Sequence, residues 1–194
     1  MAHHIHTPSK QEMDARLARY DALQPMSTAA DLAWVPQGAM DIVFARKIMP
    51  VILDDAEKLF GKSAPIMGAA GSTMFISILP PGQGACLHSH NTTYETFMVL
   101  EGSIEYDIGE PLAHRYLLNK WDTLSVPPGV YRGFRNTGSS DAVQLTVISG
   151  LVAGKDAVSM PQSVDDRLRT EYGEKVAAAF RKLVPIDPAP PAPA

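Results

Sequence analysis

Between residues 72 and 150 the chain never sustains a long regular run. Short segments rich in β-branched and aromatic residues, Thr73 to Leu79, Thr96 to Leu100, Ser103 to Ile108, Thr123 to Val126 and Val143 to Ile148, recur between clusters of Gly, Pro and Asn. Runs of this length separated by turn residues are the pattern of an antiparallel sandwich or barrel, because each run is long enough to cross a sheet once before the chain must reverse. The expected fold class is therefore all-β.

Inside this span lies a constellation that can carry chemistry. His88 and His90 are one residue apart, which on a strand places both imidazoles on the same face about 6.6 Å apart at their Cα atoms. Cys86 shares that parity, and Glu95 follows an Asn-Thr-Thr-Tyr connection short enough to return its carboxylate to the same pocket. Phe97 and Val99 share parity with Glu95, and Phe134 with Arg132, so all three are expected to line the pocket beside Cys86, the last as a small filler. Two imidazoles and one carboxylate form the ligand set of non-haem Fe(II) oxygenases and also serve Mn, Ni or Zn. An isolated His-x-His is more often a pair of surface or hydrogen-bonded histidines.

The pair is not isolated. Gly82, His88, His90, Glu95 and Gly102 keep, without a mismatch, a spacing that resembles the first signature motif of the cupin family. Residues from Trp121 to Asn136 resemble the second motif, with Pro127, Gly129 and Asn136 matching. Trp121 stands where Gly is usual, and Arg132 stands where the family has its last histidine ligand. The resemblance implies a small single-barrel cupin: a jelly-roll, or double-stranded β-helix, with a metal site at His88, His90 and Glu95. It implies a homodimer as well, since many cupins pair through their barrel faces. It does not imply a reaction, because cupins include dioxygenases, decarboxylases, isomerases, lyases, storage proteins and ligand-binding regulators.

Three readings of the pocket stay open at this level. In the first, one divalent metal, Fe(II) favoured, sits on the three ligands while Arg132 anchors a small anionic substrate by a bidentate clamp, and the protein is an oxygenase. In the second, Arg132 pairs with Glu95 in place of a metal, since guanidinium is always charged and offers no lone pair, and the barrel binds a small molecule without catalysis. In the third, a redox-silent metal assists a lyase or isomerase whose acid–base group is Tyr94 or Tyr131. Both tyrosines fall at the parity that points outward, which weighs against this reading. His114 is a loop-like alternative ligand that the family pattern does not support.

The flanks read as additions to the barrel. Met13, Leu17, Tyr20 and Leu23 recur at helical spacing over residues 10 to 24, Met40 to Met49 reads as an early strand, and Asp54 to Phe60 as one or two helical turns. Residues 163 to 185 read as one capped amphipathic helix weakened by Gly173, and the final Pro/Ala stretch as an extended tail. The expected division is residues 1–65 as an N-terminal extension with a helix packed on the barrel, 66–155 as the barrel, 156–185 as the C-terminal helix and 186–194 as a disordered tail.

Charge narrows the partners. With 17 basic and 21 acidic residues interleaved and a net charge of -4, no basic stripe is present to neutralise phosphates, and nucleic acid is not an expected partner. No apolar run approaches the roughly 20 residues needed to span a bilayer. Neither a secretion signal nor a disulfide framework is expected, Cys86 being the only cysteine, so the default location is cytoplasmic. His3, His4 and His6 read as a solvated terminal cluster.

Overall fold

The computed structural model describes residues 9–26, 32–53, 64–67, 71–150 and 157–187. His3, His4, His6, the helical turns expected at Asp54 to Phe60 and residues 188–194 lie outside them. Eleven strands fall within the described residues: β1 (Lys47–Leu53), β2 (Ile66–Met67), β3 (Ser72–Leu79), β4 (Gly84–His90), β5 (Thr93–Glu101), β6 (Ser103–Ile108), β7 (His114–Asn119), β8 (Thr123–Val126), β9 (Arg132–Asn136), β10 (Ala142–Gly150) and β11 (Val158–Ser159). They form two sheets, one ordered β2-β1-β3-β10-β5-β8 and the other β11-β4-β9-β6-β7. The result is the all-β jelly-roll arrangement expected from the sequence.

Alternation explains why the sheets face each other. Along β3 the residues Thr73, Phe75, Ser77 and Leu79 are buried, and along β5 Thr93, Glu95, Phe97 and Val99, while their neighbours are more exposed. Period-two burial gives each sheet one inward face. Phe97, Val99, Ile104, Tyr106, Leu79, Val126 and Phe134 join across the interior as one core. Each fully buried side chain of this size contributes about 1.5–3 kcal/mol of apolar burial.

A second core lies outside the barrel. Two C-terminal helices, Gln162–Tyr172 and Glu174–Leu183, join a short helix, Gln37–Val43, in a cluster built on Ile42, Val43, Leu168, Val176, Phe180 and Val184. In chain order these helices are α2 (Gln37–Val43), α3 (Gln162–Tyr172) and α4 (Glu174–Leu183), after a five-residue α1 (Lys10–Asp14). The cluster covers the outer face of β4 through Cys86 and Leu87.

Several expectations are corrected. The amphipathic helix expected over residues 10 to 24 reduces to α1 and a 3-10 turn at Tyr20–Ala22. Leu17 and Tyr20 remain exposed while Leu23 is buried, so among the described residues little apolar burial offsets the cost of nucleating a longer helix. Met40 to Val43 belong to α2 rather than to an early strand, and the strand begins only at Lys47. That strand, β1, pairs antiparallel with β3 and so extends the barrel sheet into the segment expected to be an extension. The single C-terminal helix is two, because Gly173 takes φ 85° and ψ 166°, a region open essentially to glycine alone. Its cap is also different: Pro161 precedes α3 and makes no side-chain cap. Ile186 bridges Met160 and Asp187 donates its N–H to the Met160 carbonyl, so these two residues are not part of a disordered tail.

Candidate metal centre

β4 delivers His88 and His90, and a two-residue turn at Asn91 and Thr92 leads into β5, which delivers Glu95. The ligating atoms of His88, His90 and Glu95 lie within 4.8 Å of one another. His88 Nε2 is 3.2 Å and His90 Nε2 3.5 Å from the same carboxylate oxygen, Glu95 Oε2. Two ligands each about 2.1 Å from one ion, at angles between tetrahedral and octahedral, stand about 3.0–3.4 Å apart. The His88–Glu95 separation falls inside that range and the His90–Glu95 separation just above it.

The hydrogen-bond chemistry of the donors supports the same point. His88 Nδ1 stands 2.9 Å from the Cys86 carbonyl oxygen, which can only accept, so Nδ1 carries a proton and Nε2 is the nitrogen turned toward Glu95. His90 Nδ1 is 3.2 Å from Thr93 Oγ1, leaving its Nε2 for the centre. Lone pairs of a neutral imidazole and a carboxylate repel at this distance unless a proton or a cation stands between them. Backing of each imidazole by an oxygen on its far nitrogen is the usual support for a metal-binding histidine.

Arg132 occupies the place opposite. It pairs in register with His88, is fully buried, lies with Nε 3.5 Å from Glu95 Oε2 and donates from Nη2 to the Pro127 carbonyl at 3.2 Å. Burial would push the Glu95 carboxyl up. The His88 hydrogen bond and the charges of His88, His90 and Arg132 outweigh it and hold the group below the ordinary carboxylate value. Glu95 is thus kept anionic, the state a metal ligand needs.

Not every residue of the expected pocket is there. Phe97 and Phe134 stack edge to face with ring centroids 5.4 Å apart and, with Val99, belong to the barrel core below the site. Cys86 does not line the pocket. The pairing of β4 with β9 slips between Ala85 and His88, so that three steps along β4 match two along β9. That bulge reverses the parity expected of Cys86. Ala85 packs into the barrel core while Cys86 packs against the helical cluster, where burial pushes its thiol up to about 12.

Register also settles His114. His88, Arg132, Ile108 and His114 fall in one row across β4, β9, β6 and β7. Three strand spacings of about 4.8 Å put His114 roughly 14 Å from His88, too far to share an ion. It begins a strand, β7, in a segment that reads as a loop, and it is exposed. Tyr94 is exposed, in keeping with its outward parity. Sequence reasoning missed a buried polar ladder on the inner faces: Tyr106 donates to Gln144 Oε1 at 2.8 Å, and Gln144 Nε2 donates to Thr146 Oγ1 at 3.3 Å. Gln144 and Thr146, polar residues at alternate positions of β10, were the available signal.

A family model described as a cupin domain matches residues 75–148. Residues 75–148 form a cupin domain. The chain also resembles solved structures. One is an uncharacterized conserved protein with a double-stranded β-helix domain from Klebsiella pneumoniae, at 24% identity over 46% of this chain and 73% of that one, with a TM-score of 0.41. Another is a protein from Thermus thermophilus, at 26% identity over 44% and 78%, with a TM-score of 0.40. A third is a predicted oxalate decarboxylase from Thermotoga maritima, at 25% identity over 41% and 66%, with a TM-score of 0.38. No curated protein matches the chain significantly.

The motif correspondence is visible in the cupin backbone itself. Gly82 and Gly102 have φ of 77° and 76°, and Trp121, standing where the family has Gly, has φ 75°. Among the described residues no helix is long and apolar enough to cross a membrane.

Proposed function

We propose that this cupin holds one divalent metal, Fe(II) favoured over Mn, Ni or Zn, on His88, His90 and Glu95, and acts as a mononuclear oxygenase on a small anionic organic substrate. The observation that carries this reading is the convergence of two imidazole Nε2 atoms on one oxygen of a buried, ionised carboxylate. When bound, the ion supplies Lewis acidity and, if iron, redox chemistry.

The chain's own groups fit an anion. A divalent ion, Glu95 and Arg132 together leave a net charge of +2 in a buried site, which favours an anionic partner. Arg132, fully buried beside the ligands, is placed to orient a carboxylate or enolate and to oppose its negative charge. Phe97, Val99 and Phe134 form an apolar floor, and the Tyr106, Gln144 and Thr146 ladder links the two sheets through buried polar groups. The lyase reading loses its acid–base candidates: Tyr94 faces solvent and Tyr131 donates to Asp187 outside the barrel.

A ligand-binding cupin without a metal is the second reading, favoured by the 3.5 Å approach of Arg132 Nε to Glu95 Oε2. Magnitudes favour the first. At a common dielectric, attraction between a divalent ion and a carboxylate oxygen about 2.1 Å away exceeds repulsion from a guanidinium about 5 Å away by roughly a factor of two. Elemental analysis of protein purified without an affinity tag or chelator tests the choice. About one equivalent of iron, absent from His88→Ala, together with oxygen uptake on small carboxylates, is the expected result. Stoichiometric metal in His88→Ala would remove the ligand assignment, and no metal after reconstitution would leave the ligand-binding reading.

A further inference from the structure

The face of β4 opposite the site carries a second arrangement of polar groups. Ser89, between the two histidines, points away from the barrel interior and is buried. Its hydroxyl lies 2.9 Å from Ser159 Oγ and donates to Asp187 Oδ2 at 3.1 Å. Tyr131, adjacent to Arg132, donates to the same Oδ2 at 2.5 Å. One carboxylate oxygen thus joins the residue between His88 and His90 to the residue preceding Arg132.

Asp187 is itself anchored. Its N–H donates to the Met160 carbonyl at 3.1 Å, and the Met160 N–H donates to the Pro185 carbonyl at 2.9 Å. β11 lies between this segment and β4, with Val158 opposite His90 and Ser159 opposite Ser89. The chain between Met160 and Pro185 is α3 and α4, so the strap closes the helical unit onto the histidine strand. Burial alone would raise the Asp187 carboxyl, but the hydroxyls of Tyr131, Ser159 and Ser89 hold it below its usual value.

We propose that Asp187 is a positioning residue for the histidine pair: it straps the C-terminal segment across the back of β4 and fixes the angle at which His88 and His90 present their rings. A bulge lies just before His88, and the ladder alone leaves β4 free to twist there. The strap supplies the missing constraint at the next residue. Where the proposal concerns metal affinity it rests on the metal site proposed above; where it concerns ring orientation it does not.

The test compares Asp187→Ala, Asp187→Asn, Tyr131→Phe and, as a control on the exposed face of α3, Asp166→Asn. Co(II) affinity is measured by calorimetry, and the imidazole C–H signals of His88 and His90 by NMR on chelator-treated protein. Loss of an outer hydrogen-bond partner weakens metal binding by about 10–100-fold. The expected result is about tenfold weaker Co(II) binding and shifted ring signals in Asp187→Ala, a smaller change in Tyr131→Phe, and recovery to within about threefold in Asp187→Asn, which keeps an acceptor oxygen. The control should match the parent protein. A lower melting temperature in Asp187→Ala with unmoved ring signals and unchanged affinity would overturn the proposal and leave a purely structural strap. If Asp187→Ala does not fold, Tyr131→Phe, which removes one hydroxyl, decides it by the same criteria. If the parent protein binds no Co(II), the metal reading fails while the ring signals still decide the strap.

Discussion

Arg132 is the residue on which the proposed chemistry of this barrel turns. Its guanidinium is buried with no exposed surface, is held by the Pro127 carbonyl and stands beside Glu95 in the row that begins with His88. The position is the one where the family motif has a histidine, and register places it on the inner face. An Arg132→His variant therefore exchanges a repelling charge for a lone pair at the right place. Metal affinity measured by calorimetry should rise by about tenfold or more, equivalent to about 1.4 kcal/mol, while turnover of any anionic substrate falls. Unchanged affinity would mean that a side chain at this position does not reach the ion.

At the scale of elements, the turn between β7 and β8 stores strain. Trp121 adopts φ 75° with its N–H donated to the Val99 carbonyl at 2.7 Å and its ring largely in solvent. Left-handed backbone costs a side-chain-bearing residue about 1–2 kcal/mol, and the exposed contact of Lys120 over the Trp121 ring returns roughly 0.5–1 kcal/mol. Trp121→Gly should therefore raise unfolding stability by about 1 kcal/mol in chemical denaturation. A loss of stability would show that the indole makes a contribution larger than its exposure implies. The bulge in β4 is the other local device that matters, because it turns Cys86 toward the helices and keeps His88 aimed into the barrel.

At the scale of the whole molecule, the described residues form a β-barrel core and a helical core that share β4 as their common wall. Leu87 and Cys86 pack on the helices from the strand that carries His88 and His90 on its other face. Phe180 is fully buried at the centre of the helical core and stacks on Phe44 with ring centroids 6.1 Å apart. Phe180→Ala should lower stability by about 3–5 kcal/mol, as large-to-small changes in packed cores do, read as a shift of the denaturation midpoint. Because the two cores share a wall, amide hydrogen exchange in β5 and in α4 should report one common unfolding free energy; two distinct values would show that the cores unfold independently.

The sequence by itself determined the barrel and the convergence of His88, His90 and Glu95. Turn glycines, alternating strands and the spacing of His88, His90 and Glu95 are local properties, and each constrains backbone geometry within a few residues. β6 and β8 coincide with runs read directly from residue type. Tertiary structure decided the rest. Whether residues 10 to 24 hold a full helix depends on a surface to bury Leu17 and Tyr20, which is not provided. β7 lies at a sheet edge with nearly every residue exposed, so it has no burial alternation to read. Cys86 changed sides because a bulge is a mismatch between two strands, visible only once both are paired. The strap at Asp187 joins residues 56 and 98 positions apart in the chain, and hydrogen bonds of that range leave no periodic trace, because their partners are brought together only by folding.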